Sequence, residues 1–483
     1  MALISLKFMM FFAFVLAGWF LLPARGQKLF LLAACWVFYA LQSGGLLVLL
    51  LLSTLVSYLA ALAMEQRTLG RRKLWLWLGC LFCFGLLFFY KYFAFFLGPV
   101  LRVAHLSLPE WTSSLAVPAG LSFFTFSITG YLFDVYREKL PAERNFLHYA
   151  LFTSFFPAIL AGPVGMARTF LPQLRQRQTF DVERLKAGAL RFVFGVFEKL
   201  AVADVIAVAV NAAYSGEQTV SGGMWLLVAL GYSLQIYFDF AGYSHMALGA
   251  AEALGLTLTE NFAAPYYSLS VRSFWKKWHI SLTGWFREYL YFPLGGSRKG
   301  RARTYLNILI VFTVSGLWHG AAMTYVCWGL LNGVLQVLEM LAQPVTARLD
   351  HRLERSPLRF LRAGLRAAVT YLLISATWVL FRSGSLAQAA EIGGQILGVL
   401  RYGFGAQTLA DLGLTLRQQL SLGGCLAVCA AVDALSLRAP IRKRLSETLL
   451  PYYAAVFLLI LATCLLGTYG GGFSSQDFVY FKY

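Results

Sequence analysis

Asn307-Ile-Leu-Ile-Val-Phe-Thr-Val-Ser-Gly316-Leu-Trp-His319-Gly-Ala-Ala-Met-Thr-Tyr-Val-Cys-Trp-Gly-Leu-Leu-Asn332 carries no formal charge and holds one histidine near its middle. A helix needs roughly 20 apolar residues to cross the hydrocarbon core of a bilayer. The surrounding apolar region, 304–342, is about twice that length. Arg301 and Arg303 precede it, and Arg348 and Arg352 follow it. Basic residues at both ends place both ends on one side of a membrane. The stretch therefore predicts a helical hairpin with its bend near His319-Gly320. An imidazole offers a donor and an acceptor, titrates near neutrality, and is costly to bury without a partner. An ionisable residue inside membrane-spanning sequence is by default a functional-site hypothesis. The residues alone leave two readings of His319 open: a structural histidine bonded between helices, or a reactive one.

The rest of the chain agrees on the environment. Of its 483 residues, 59% are hydrophobic and 13% charged, against about 25% charged in an ordinary soluble domain. The net charge of +19 sits in short clusters between apolar runs, the pattern of cytoplasmic loops. No basic stripe is interleaved with aromatics, which excludes nucleic acid as a partner. The lipid bilayer is the expected surrounding. Seven scattered cysteines read as small packing residues. Cys80-x-x-Cys83 has no second half that would complete a metal site, so no metal is expected.

Candidate spans are 4–22, 29–42, 46–64, 74–99, 114–133, 187–212, 223–240, 366–383, 418–435 and 450–468, besides the hairpin. The first is read as a span, because Leu22-Pro-Ala-Arg is a poor signal-peptide cleavage site. Basic clusters at Arg25/Lys28, Arg67/Arg71/Arg72/Lys73, Arg137/Lys139/Arg144 and Arg438/Arg442/Lys443/Arg444 fall on one side if helices alternate. That side is then cytoplasmic and the termini extracytoplasmic. Residues 148–165, with Phe155-Phe-Pro157 and Ala161-Gly-Pro163, are too short and too rich in proline and glycine for a clean span. They predict a re-entrant segment buried in protein. The expected fold is all-α and polytopic, with roughly 11–13 transmembrane helices plus re-entrant and interfacial amphipathic helices. No repeat or linker divides the chain, so 1–483 is read as one membrane domain.

Residues 260–303 mix serine, tryptophan, lysine and arginine. From Arg272 to Tyr291 the spacing predicts one amphipathic helix lying at the membrane surface. Phe274, Trp275, Trp278, Leu282, Trp285, Phe286 and Tyr289 form its apolar face, and His279 lies at the edge. On residue chemistry alone, His279 reads as interfacial. Pro293-Leu-Gly-Gly-Ser-Arg-Lys-Gly300 predicts a basic glycine-rich turn. There is no G-x-S-x-G elbow, and neither a phosphate-binding G-x-x-x-x-G-K-[ST] loop nor H-E-x-x-H. Histidine is left as the candidate base, His319 first and His279 second. His105, His148 and His351 read as solvated, and Asp134 and Asp239 as capping or snorkelling residues at span ends.

Several segments carry a resemblance. Ser273-Phe-Trp-Lys-Lys-Trp-His-Ile-Ser-Leu282, Trp285-Phe-Arg-Glu-Tyr-Leu-Tyr291, Pro293-Leu-Gly-Gly296 and Gly316-Leu-Trp-His-Gly320 resemble the signature of the membrane-bound O-acyltransferase (MBOAT) superfamily. More narrowly, they resemble its bacterial alginate O-acetylase branch. Pro118-Ala-Gly-Leu-Ser-Phe-Phe-Thr-Phe126, Asp134-Val-Tyr-Arg137, Tyr237-Phe-Asp-Phe-Ala-Gly-Tyr-Ser244, Glu260-Asn-Phe262, Trp378, Phe381-Arg382 and Phe478-Val-Tyr-Phe-Lys-Tyr483 agree with it. The resemblance spans about 85–483, with the family-type core placed at 111–483 and N-terminal helices at 1–110. One position departs: the family's acidic residue after Gly-Tyr-Ser is His245 here.

The resemblance implies an MBOAT fold and an O-acyltransferase. His319 would be the general base and His279 its assistant. Trp275, Trp278, Trp318, Asn261 and Arg287 would line the substrate channel. It implies no bound cofactor, with acetyl-CoA or another acyl thioester as donor. An extracytoplasmic polysaccharide such as alginate or peptidoglycan would be the acceptor. A partner of the SGNH type and a bacterial inner-membrane location are implied too. Transfer of D-alanyl groups to teichoic acid, or transport of an acyl or glycan precursor, are the alternatives. The Pro293-Leu-Gly-Gly296 turn, usually lacking in the D-alanyl-transferring relatives, leans toward O-acetylation.

Overall fold

A computed structural model describes residues 1–65, 68–112, 115–353, 356–439, 441–469 and 478. Arg67 and most of the C-terminal motif, 479–483, lie outside them. Among the described residues the regular structure is helical, with one isolated antiparallel bridge between Phe262 and Trp278. Among the described residues, seven helical segments are long and apolar enough to cross a membrane. The chain forms two compact units, Met1–Phe192 with Tyr243–Glu260, and Val193–Gly242 with Asn261–Tyr483.

The first unit holds α1 (Leu6–Leu21), α2 (Ala24–Ser43), α3 (Leu47–Glu65), α4 (Leu69–Leu87), α5 (Phe93–Val103), α6 (Leu121–Tyr136), α7 (Phe146–Ser154), α8 (Phe156–Ile159) and α9 (Ala167–Leu174). Most of α10 (Val182–Phe197) belongs to it as well. The candidate span 114–133 forms helix only from Leu121, after Gly120 at φ +70. A Cβ on Gly120 would meet the Ile159 carbonyl at 2.1 Å, so the chain comes too close there for any other residue. Residues 148–165 do not form one continuous helix: α7 breaks before the four-residue α8, where Phe156 and Pro157 are buried. Asp134 does not snorkel. It is 1% exposed and pairs with Arg168 Nε at 2.8 Å, because a charge this deep needs a partner. His148 is likewise 8% exposed rather than solvated, since α7 turns it inward.

The second unit holds α11 (Asp204–Tyr214), most of α12 (Gly222–Ala253), α13 (Val271–Lys277), α14 (Ile280–Phe286), α15 (Arg301–His319), α16 (Met323–Leu353) and α17 (Leu358–Arg382). It continues with α18 (Leu386–Tyr402), α19 (Leu416–Ser436), α20 (Ile441–Ser446) and α21 (Leu449–Leu466). Exposed apolar residues along α21, such as Phe457 and Leu458, suit lipid contact. Asp239 on α12 is buried, with its Oδ1 2.6 Å from Lys199 Nζ, and Lys199 also lies 2.9 Å from Asp204. This is a buried ion cluster rather than a cap. Lys199 sits in a π-helical turn, Glu198–Ala203, which bulges the helix and aims the ammonium between two carboxylates.

The hairpin forms as its flanking charges predict. α15 ends at His319, Gly320 is extended, and α16 starts at Met323. Small residues bring the two helices together, the usual device where both face hydrocarbon. A Cβ on Gly316 would lie 2.2 Å from the Tyr325 carbonyl oxygen, and one on Gly329 would lie 2.2 Å from that of Phe312.

The single interfacial helix expected over 272–291 does not form. Its apolar face is buried in protein, with Phe274 at 0% and Trp278 at 1% exposure. The helix breaks at His279, whose φ of 46° and ψ of 55° are left-handed. It resumes as α14 and runs into a π-helical turn, Arg287–Tyr291.

Candidate functional site

His279 owes its place to the corner between α13 and α14. Ser270 caps α13 by accepting from the Ser273 amide, and α13 closes at Lys277. A left-handed non-glycine residue costs of order 1–3 kcal/mol and persists only where its surroundings over-determine it. Here the segment around Asn261 does so. The Ile280 amide donates to the Asn261 carbonyl at 2.9 Å, and the Ala263 amide to the Lys277 carbonyl at 3.1 Å. The Ser281 hydroxyl donates to Asn261 Oδ1 at 2.6 Å. The corner turns His279 into the protein, where it is 2% exposed. Burial pushes its imidazole down to about 3, so it is neutral near pH 7.

His319 reaches the same place from the other direction, as the last residue of α15. Its ring lies 5.2 Å from Trp328 on α16 and 5.4 Å from Phe381 on α17. Trp318 touches both histidines, with ring centroids 4.9 Å from His319 and 6.2 Å from His279. Phe240 closes on His279 at 4.7 Å. Trp328 and Trp378 stack at 5.2 Å behind them, and Trp278 packs on Trp378.

Both histidines line one cavity of about 230 Å³. Its apolar wall includes Trp275, Trp278, Leu282 and Phe286 from the broken helix pair, and Ile308, Val311 and Phe312 from α15. Arg272, Lys276 and Arg287 line it too, and among the described residues no carboxylate does. A cavity of this kind suits an anionic ligand carrying a small reactive group. A neutral imidazole can accept a proton inside it, and the indole walls restrict water.

Of the residues singled out from sequence, His319, His279, Trp275, Trp278 and Arg287 line this cavity. Trp318 and Asn261 do not line it. Trp318 packs against both imidazoles, and Asn261 holds the His279 corner. Ser315 and Gln336 line the cavity but were missed. The signal for Ser315 was present, since 308, 311, 312, 315 and 319 share one stripe of a 3.6-residue period. Gln336 had no such marker. His245 lies on α12 within the first unit, partly exposed, and is not among the lining residues. Gly295 and Gly296, at φ 104° and 55°, form the turn expected of them, tied down by Asn307 Nδ2 donating to the Gly296 carbonyl at 2.9 Å.

Comparison with known proteins bears on this site. Residues 124–378 match the model of the MBOAT, membrane-bound O-acyltransferase family. The chain is 34% identical to a probable alginate O-acetylase of Pseudomonas syringae pv. tomato, over 83% of this chain and 75% of that protein. It is 32% identical to a peptidoglycan O-acetyltransferase of Helicobacter pylori, over 78% and 75%. A teichoic acid D-alanyltransferase of Bacillus subtilis is 31% identical, over 45% of this chain and 57% of that protein.

Proposed function

This chain belongs to the membrane-bound O-acyltransferase family, and from that premise we propose that His319 is the base with which it moves an acetyl group from acetyl-CoA toward an extracytoplasmic polysaccharide. The observation that carries the reading is one cavity lined by two histidines and three cations and, among the described residues, by no carboxylate. The phosphates of the donor meet Arg272, Lys276 and Arg287, and the thioester lies toward the histidines. The acceptor hydroxyl gives its proton to His319 as its oxygen attacks the thioester carbonyl. The carbon–sulfur bond breaks, the thiolate takes the proton back from the imidazolium, and the products are an O-acetyl ester and free CoA. Proton transfer of this kind contributes about 10²–10⁴-fold. His279, neutral and fixed by its corner, orients the reacting groups.

The basic loop ends mark the cytoplasmic side, so the donor enters from there and the acceptor from the opposite face of a bacterial inner membrane, with the termini outside. The acceptor hydroxyl belongs to a polysaccharide or to the serine of an SGNH-type partner that completes the transfer. Alginate and peptidoglycan, named for two relatives, are the first acceptors to try.

The test is label transfer in sealed vesicles. Acetyl-labelled CoA supplied on the basic side should label the acceptor, while D-alanyl-loaded carrier protein should not. Labelling from the D-alanyl carrier alone would make the chain a D-alanyltransferase, and label crossing unesterified would make it a transporter.

A further inference from the structure

A second cavity, of about 750 Å³, lies along α16 and α17 and reaches the start of α13. Its walls change character along its length. Leu338, Leu365 and Val369 are 54%, 58% and 53% exposed, on two helices that are each long and apolar enough to cross a membrane. Exposed aliphatic side chains there face hydrocarbon, not water. Toward the start of α17, Arg362 Nε and Arg366 Nη1 converge on the Asp350 carboxylate, at 2.5 and 2.8 Å. Arg366 Nε also donates to the Leu269 carbonyl at 3.1 Å, which fixes its guanidinium. Arg272 and Glu339 line the groove about three helical turns from Asp350, with the Arg272 amide donating to Glu339 at 2.9 Å. At the Asp350 end two guanidinium groups against one carboxylate leave one net positive charge.

The depth of this charged end follows from helix length. The 31 residues of α16 extend about 46 Å at 1.5 Å per residue, against about 30 Å of hydrocarbon. The last turns, with Asp350, therefore stand at headgroup level.

We propose that this groove is a binding site for one anionic phospholipid. An acyl chain lies against Leu338, Leu365 and Val369, and the phosphate sits at Arg362 and Arg366. A soluble phosphate compound would satisfy the arginines but would leave the lipid-facing aliphatic wall unused. Arg272 also lines the histidine cavity, so the two cavities share that residue in their walls.

The experiment is native mass spectrometry of the intact protein after delipidation and titration with phosphatidylglycerol or phosphatidylcholine, each with palmitoyl and oleoyl chains. The wild type should hold one phosphatidylglycerol with about five-fold preference, as one net charge near a membrane surface gives. Leu365→Trp/Val369→Trp fills the slot from exposed positions and should abolish retention while the melting temperature of the lipid-free protein is unchanged. Arg362→Gln/Arg366→Gln should keep a lipid but lose the preference, and if it fails to fold, the tryptophan pair still decides. Equal retention of phosphatidylcholine, or undiminished retention by the tryptophan pair, would overturn the proposal. So would displacement of the lipid by acetyl-CoA, which would assign the groove to the donor. None of these outcomes bears on the role of His319.

Discussion

Gly316→Ala is the sharpest perturbation of the hairpin that carries His319. The added methyl would stand 2.2 Å from the Tyr325 carbonyl oxygen, where ordinary contacts begin at 3.4 Å. The obstruction is backbone, so no rotamer relieves it. α15 and α16 must separate by about 1.2 Å, the difference between those distances. Overpacking of this kind costs about 1–3 kcal/mol. The catalytic effect should be larger, because His319 lies three residues on in the same helix and moves with it. A misplacement of about 1 Å typically costs about 10²-fold in rate. The assay is the initial rate of acetyl transfer in vesicles at matched protein, with melting in detergent alongside. Gly393→Ala on α18, where a methyl meets nothing within 4 Å, is the control and should match the wild type in rate. A Gly316→Ala enzyme with wild-type rate and melting would refute the idea that close approach of the two helices sets the position of His319.

Other expectations rest on separate features. Lys199→Met strands Asp204 and Asp239 without their buried cation. It should cost about 3–5 kcal/mol, read as loss of folded protein in the membrane, and Lys199→Met/Asp239→Asn should recover part of it. His279→Ala should reduce transfer partially, and an unchanged rate would make the residue structural. The ordinary histidine value is 6.5 and burial takes His279 to about 3, so between these values the unfolded chain binds a proton that the folded one does not. Stability is therefore fully present above about pH 6.5 and falls below it by up to about 1.4 kcal/mol per pH unit. Melting between pH 7 and pH 5 should show this slope, and His279→Gln should flatten it.

Much of the site was legible because it is made of local pattern. The uncharged run from Asn307 to Asn332, flanked by arginines, gave the hairpin and put His319 at its bend. The resemblance carried by Ser273–Gly320 paired His279 with it. What was not legible depended on tertiary packing. The residues from Arg272 to Tyr291 have the periodicity of one amphipathic helix, and nothing local announces the left-handed break at His279. That break is imposed by Asn261, eighteen residues earlier. Asp134, Asp239 and His148 read as boundary residues because sequence shows only their distance from a span end. The partners of the two aspartates, Arg168 and Lys199, come from other helices. Gln336 lies on α16, whose cavity-facing side is fixed only by the crossing with α15.

The central claim is that His319 takes the acceptor's proton, and the most direct measurement is the initial rate of acetyl transfer by His319→Ala at matched membrane abundance. The account predicts a fall of about 10²–10⁴-fold with melting unchanged in detergent. Transfer at the wild-type rate would contradict it.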